Sequence, residues 1–390
     1  MAERKISILH LASDEKFINN ADYIFEKAFP GCNHFMIVHP RFNRKLTYVK
    51  LKDNFEPVPK GNKLIETLAE RTGHYDCIFL HGITDLNSTV FLSSKDKQKF
   101  IGVFWGAELY TEKNFPGNSL KGELTASIKL PEPDYSLKER FKDIIRKIIY
   151  HKKLALENAT NIAAPRLSYI ASLTEEGLQP FMEHKLISED IRHIPFTYYP
   201  LEYITKGNES SVVNGNDILL GNSAFYTNNH LEALHLLHHI DIGSRKIIMP
   251  LSYGNTIYAD YIEAKGFELF SGNFIPLRNF MPLSEYTRIL QSCGIVIMNH
   301  YRSQGVGNIL AALWLGSKVY LNESNAFLHY LRRIGAKVFS IEKDLTEKNK
   351  SALVNLSGDE IEHNRRILKN TIAEEKIIEK LKRSVYQYFS

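Results

Sequence analysis

The residues best suited to chemistry lie in the run Ile295-Val-Ile-Met-Asn-His300-Tyr-Arg302-Ser-Gln304-Gly305-Val-Gly307-Asn308, which leads into an apolar helical stretch. An apolar strand ends in a polar turn, and two glycines one residue apart open a helix. Such a turn lets backbone approach an anion closely and points free N–H groups at it. Arg302 adds a fixed cation, while His300, Gln304 and Asn308 add neutral hydrogen-bonding groups. A tight strand–helix turn would use the same glycines for shape alone. The flanking His, Arg and Gln tilt the reading toward anion binding. Two more turns share the form: Leu220-Gly221-Asn222-Ser223, before Thr227-Asn228-Asn229-His230, and Pro250-Leu-Ser-Tyr253-Gly254-Asn255. Each alone reads as an Asn or Ser helix cap. Three of them at strand ends of one domain converge on one crevice, and a nucleotide diphosphate is their natural ligand.

In the first half, Phe104-Trp105-Gly106-Ala107-Glu108-Leu109-Tyr110 places a carboxylate just after an apolar strand. Glu108 among Trp and Phe side chains is a candidate general base with a raised pKa, against the plainer reading of a solvated loop glutamate. His81, before Gly82 at another strand end, either orients a substrate or caps the strand. His10 reads as a core or strand-end histidine. His235, His238 and His239 share one helix without an accompanying carboxylate pattern, which makes them a solvated face rather than a metal site.

Absences narrow the chemistry. There is no GxxxxGK[ST] loop for P-loop nucleotide hydrolysis, and no GxGxxG after the first strand for dinucleotide redox work. Asp-x-Asp and HExxH are also missing, so Arg302 and helix ends are expected to neutralise a diphosphate without a metal, and no cofactor is expected. Between positions 138 and 153, Lys138, Arg140, Lys142, Arg146, Lys147, Lys152 and Lys153 alternate with an apolar stripe at helical spacing. That stretch suits an anionic membrane surface as well as it suits an ordinary amphipathic helix. Nucleic acid is a poorer fit.

These groups need elements to position them. The 390 residues are 44% apolar and 24% charged, with a formal net charge of +5, as expected of a folded chain of two or three domains. Cys32, Cys77 and Cys293 lie far apart, which fits a reduced, intracellular protein. No apolar run is long enough to cross a bilayer. Short apolar runs alternate with helical periodicity throughout, the pattern of an α/β chain with parallel sheets. Strands are expected at 6–12, 34–39, 47–51, 77–81, 100–105 and 161–164, then at 218–221, 246–250, 267–271, 295–299, 318–321 and 337–341. Helices are expected at 15–29, 62–71 and 137–158, then at 228–240, 256–265, 283–293, 306–315 and 327–334. The polar stretch Lys206–Asp217 is the best linker. It separates a first Rossmann-like domain, 1–205, from a second, 206–358, and a charged helical tail, 359–390, is expected to pack back on the first.

The chain resembles glycosyltransferase family 56. The likeness rests on Trp105-Gly-Ala-Glu108-Leu-Tyr110, Leu220-Gly-Asn-Ser223 with Asn229-His230, Pro250-x-x-Tyr253 leading to Gly266-Phe-Glu-Leu-Phe270, and Gln304-Gly-x-Gly307 followed by Leu321-Asn322-x-x-Asn325. It runs from about His81 to Tyr330. The family has Asp where this chain has Glu108, and Met-Gly-Tyr where it has Leu-Ser-Tyr253; the stretch Thr111–Tyr135 is a longer insertion. The resemblance implies a GT-B fold of two doubly wound domains facing a cleft, a nucleotide-sugar donor and a polyprenyl-diphosphate-linked acceptor at the cytoplasmic membrane face. On this reading a dTDP- or UDP-linked deoxyamino sugar meets Gly221, Asn222, Ser223, Tyr253, His300, Gln304, Gly305, Gly307, Asn308, Asn322 and Asn325. Glu108 and Arg302 are the catalytic pair, and His81, Trp105 and Tyr110 lie on the acceptor side. A sugar-nucleotide epimerase of the same fold and a non-catalytic nucleotide-sugar-binding subunit are the alternatives.

Overall fold

The computed structural model describes residues 5–39, 46–61, 63–111, 113–116, 119–130 and 155–389. Contacts gather them into two compact units. One holds the described residues of Met1–Asn114, Asp134–Pro200 and Glu374–Ser390, the other those of Phe115–Pro133 and Leu201–Ala373. The division falls at Pro200/Leu201, within a few residues of the expected 205/206. The insertion joins the second unit because Ile128 and Leu130 pack against that unit's core.

In the first unit seven strands, β1 (Ile8–Ser13), β2 (Asn33–His39), β3 (Phe55–Pro59), β4 (Cys77–His81), β5 (Phe100–Val103), β6 (Tyr169–Ser172) and β7 (Arg192–Pro195), form one sheet. Its order is β3-β2-β1-β4-β5-β6-β7, and every pairing is parallel. Continuous apolar runs such as Cys77-Ile-Phe-Leu suit strands covered on both faces. The helix Ile18–Ala28 buries Ile18, Ala21, Ile24, Phe25 and Ala28, one face at helical spacing. The C-terminal helix Glu374–Phe389 adds Leu381 and Val385 to the same core and pairs Glu374 with Lys27.

The second unit has six strands, β8 (Ile218–Leu220), β9 (Ile247–Pro250), β10 (Phe274–Leu277), β11 (Ile295–Met298), β12 (Lys318–Leu321) and β13 (Phe339–Ser340). Their order is β10-β9-β8-β11-β12-β13, again all parallel. Both sheets are doubly wound, as expected. The helix Gly358–Ile372 opens on a Ser357/Glu360 capping box and lies in this unit, so only the last helix of the expected tail belongs with the first.

Several expected elements differ, each for a local reason. Thr47–Leu51 is no strand: the N–H groups of Thr47, Tyr48 and Val49 donate to the Asp14 carboxylate at 2.6, 3.0 and 2.9 Å instead of to a ladder. β3 lies further on. Residues 161–164 are helical, held by Thr160 donating to Asp85 through both N–H and hydroxyl at 2.9 Å. Phe267–Phe270 continues the helix Thr256–Phe270 because Gly266 lets it lie against the Phe274 ring. Helix Asp85–Ser93 and strands β6 and β7 were not anticipated.

Candidate active site

In a doubly wound sheet the crevice opens where strand order reverses, beyond the carboxyl ends of the strands. In the second unit that point lies between β8 and β11, which pair Leu220 with Ile297. The turn after β8 begins at Gly221 (φ +72°), where a Cβ would stand 2.7 Å from His230 Nε2. The turn after β11 ends at Gly305 (φ +66°), which starts the helix Val306–Leu315. A Cβ there would stand 3.1 Å from Asn222 Nδ2, so the turns approach each other closely. Gly307 differs: a Cβ would meet nothing within 4 Å, leaving open room in front of the helix's first turn.

Hydrogen bonds lock the two turns together. Asn228 donates from Nδ2 to Ser223 Oγ (3.1 Å) and the Phe225 carbonyl (3.2 Å), which orients its amide. Its Oδ1 accepts from Asn222 N–H at 2.9 Å and faces His300 Nε2 at 2.9 Å. His300 must therefore carry its hydrogen on Nε2, which also reaches Asn222 Oδ1 at 3.2 Å. Burial, with His230 and Arg302 nearby, pushes the His300 pKa down to about 3, so the ring is neutral and Nδ1 is a bare acceptor. That atom is buried and meets no hydrogen-bond partner among the described residues. Thr227 Oγ–H donates to Gln304 Oε1 at 2.8 Å, a second tie across the reversal point. Arg302 lies between His300 and Gln304 in this turn and is half-buried.

The neighbouring strand ends complete the edge. Tyr253, after β9, is 69% exposed and meets Phe225 edge-on at 5.3 Å. After β12, Asn322 donates to Asn299 Oδ1 at 3.0 Å, and Asn325 caps the next helix through Phe327 N–H at 3.0 Å. Asn322 and Asn325 are buried, so both act on the loops around the crevice. Asn308 lies half-buried in the first turn of the helix.

In the first unit, strand order reverses between β1 and β4, with β5 next to β4. Glu108 Oε1 accepts from Ile83 N–H (3.2 Å) and Trp105 N–H (3.4 Å), which ties the β4 and β5 turns together. Its Oε2 is buried without a hydrogen-bond partner among the described residues. Burial raises the Glu108 pKa, and backbone N–H groups oppose the shift. Gly82 (φ +90°) leaves room for the Trp105 ring, and Tyr110 packs edge-on against Phe181 at 4.5 Å.

His81 is 1% exposed and uses both ring nitrogens. Asn33 donates to Glu26 and the Phe29 carbonyl, so its Oδ1 faces His10 Nε2–H at 3.3 Å. His10 Nδ1 then accepts from His81 Nε2–H at 3.0 Å. His81 Nδ1 accepts from Tyr198 O–H at 2.8 Å, and Tyr198 accepts from Trp105 Nε1–H at 3.2 Å. Desolvation holds both histidines neutral, which this chain requires. His81 thus positions Trp105 through Tyr198 and is not presented at the surface. Nothing in the local sequence Thr197-Tyr-Tyr-Pro200 marks Tyr198.

The basic stretch Lys138, Arg140, Lys142, Arg146, Lys147, Lys152 and Lys153 lies outside the described residues. No described helix is long and apolar enough to cross a membrane. Among the described residues no three His, Cys, Asp or Glu side chains form a metal-ligating group.

Residues 174–365 match the profile of the family described as 4-alpha-L-fucosyltransferase glycosyl transferase group 56, in line with the resemblance drawn from the motifs. The fold is shared with a glycosyltransferase from Rickettsia africae (TM-score 0.60, 11% identity, 99% of this chain and 98% of that one). It is also shared with Anabaena Alr3699/HepE, solved with UDP-glucose (0.57, 12%, 98% and 100%). WaaG, a glycosyltransferase of lipopolysaccharide biosynthesis, is a further match (0.54, 12%, 99% and 100%). The architecture is GT-B. Family match and fold together support a glycosyltransferase.

Proposed function

We propose that this chain, which carries the group 56 glycosyltransferase signature over residues 174–365 on a GT-B fold, transfers a deoxyamino sugar of N-acetylfucosamine type. The donor is dTDP- or UDP-linked, and the acceptor is a polyprenyl-diphosphate-linked saccharide of bacterial surface polysaccharide synthesis. The observation that carries the reading is the pair of turns at the β8/β11 reversal, bound through His300, Asn222 and Asn228, with Arg302 and a glycine-opened helix between them.

The diphosphate sits at Gly305–Asn308, where N–H groups of the first helical turn and Arg302 face it. As the bond from the sugar's anomeric carbon to the diphosphate oxygen breaks, its electron pair passes to that oxygen. Donors fixed there strengthen their interaction as charge grows, which lowers the barrier. Arg302 and the helix start do this without a metal. Gln304, held by Thr227, keeps the turn in shape.

On the acceptor side, Glu108 takes the hydroxyl proton in an inverting transfer as the acceptor oxygen forms its bond to the anomeric carbon. In a retaining transfer it orients that hydroxyl. Trp105 and Tyr110 flank the acceptor. The Lys138–Lys153 stretch holds the enzyme on the anionic inner face of the cytoplasmic membrane, where a lipid-linked acceptor lies. Charge reversal there is expected to abolish liposome binding.

The deciding experiment incubates the protein with dTDP- and UDP-deoxyamino sugars and a polyprenyl-diphosphate saccharide, with and without EDTA. Acceptor-dependent release of nucleoside diphosphate, unchanged by EDTA, is the expected result. Sugar-nucleotide conversion without acceptor would overturn the transferase reading.

A further inference from the structure

We infer that Lys121, on the insertion that departs from the family pattern, is a diphosphate-binding residue of the donor crevice; the inference rests on the donor reading above. The chain leaves the first unit after Asn114 and contributes this insertion to the second. It is anchored there at several points. Gly122 N–H donates to Asn229 Oδ1 at 2.9 Å, and Asn229 Nδ2 donates to the Leu120 carbonyl at 3.4 Å. Thr125 donates to Glu232 through its N–H (2.8 Å) and its hydroxyl (2.5 Å). Gly122 is required for this fit, since a Cβ would fall 2.2 Å from Glu232 Oε1.

Asn229 makes this more than a surface attachment. It is fully buried, adopts φ +50°, and also bonds the end of β11: its Nδ2 donates to the Asn299 carbonyl at 3.0 Å, and Asn299 Nδ2 donates back to its carbonyl at 3.1 Å. A left-handed asparagine costs conformational energy, which these bonds offset. The insertion is thereby registered to the strand end that leads into Arg302.

Lys121 precedes the anchored Gly122, and its ammonium stands 5.3 Å from the centre of the Tyr226 ring. Tyr226 adjoins Thr227, whose hydroxyl bonds Gln304 in the anion-binding turn. Two acids close to it do not claim the ammonium: Glu232, which lies against Gly122, is held by Thr125, and Glu123 makes no ion pair with it among the described residues. A half-buried cation held beside an aromatic face at the rim of a crevice for an anionic ligand adds to the charge of Arg302.

The test is calorimetric titration of the full-length protein, Lys121→Gln and Lys121→Ala with dTDP, UDP and the matching nucleosides. Both variants are expected to lose about tenfold or more in diphosphate affinity, the scale of one charge-assisted hydrogen bond, with nucleoside affinity unchanged. Lys121→Arg should restore most of the loss. Thr125→Val, which removes one anchor of the insertion without touching the charge, should weaken diphosphate binding by a smaller factor. If the unaltered protein binds a diphosphate and Lys121→Ala binds it within twofold, this inference fails and the donor reading survives. If the unaltered protein binds neither diphosphate, the donor reading falls and the inference with it.

Discussion

His300 and Asn222 meet across the strand-order reversal of the second sheet, with His300 Nε2 lying 3.2 Å from Asn222 Oδ1. One residue follows β11 by two positions and the other follows β8 by two, so this contact sets the separation of the turns that flank the crevice. Because the His300 ring is neutral and donates from Nε2, the contact needs no counter-charge. Arg302 remains the cation of that turn.

Arg302→Ala should lower kcat by about 10²–10³-fold, the range seen when one fixed transition-state donor is removed. The melting temperature should stay near that of the unaltered protein. Turnover within a few-fold of normal would remove Arg302 from the mechanism.

Gly305→Ala probes the approach of the two turns. Left-handed backbone costs a residue with a Cβ roughly 1–2 kcal/mol, and the new methyl would press on Asn222. Reduced donor affinity with a modest loss of stability is expected. Gly307→Ala has room for its methyl and should leave stability unchanged while obstructing a bound diphosphate.

Acid stability reports on the buried histidines. His81, His230 and His300 are held neutral to about 3 in the folded protein, against 6.5 in the unfolded chain. Their stabilisation is complete above pH 6.5. It falls away as the pH drops from 6.5 toward 3, by roughly 1.4 kcal/mol per pH unit for each. Denaturation midpoints measured between pH 7 and 4.5 should fall steeply, and His300→Gln should flatten the slope by about one proton. An unchanged slope would mean that His300 is charged in the folded state.

Glu108→Gln should depress kcat far more than KM if the carboxylate takes the acceptor proton. Because burial raises its pKa, the acid limb of the kcat profile should lie above the usual glutamate range, with activity lost as pH falls through it. Glu108→Asp, the residue of the family pattern, should keep partial activity. An acid limb unmoved by the aspartate would assign it to another group.

Both doubly wound sheets, the strand–helix turns after β8 and β11 and the likeness to group 56 were legible along the chain, since apolar runs, glycines and caps act over neighbouring residues. The runs at 161–164 and 267–271 misled because short apolar stretches suit helix and strand alike. The choice came from distant partners, Asp85 for Thr160 and Phe274 for Gly266. The roles of His10 and Tyr198 likewise depend on partners 71 and 117 residues from them along the chain, joined through His81.

Local residue types thus determined most of the elements this protein builds and the glycine and asparagine turns that follow β8 and β11. Only the tertiary structure decided that His81 supports Trp105 from within, and that an insertion from the first half of the chain docks on Asn229 and Glu232. Hydrogen-bond partners far apart in sequence are selected by packing, and neither periodicity nor spacing records that selection.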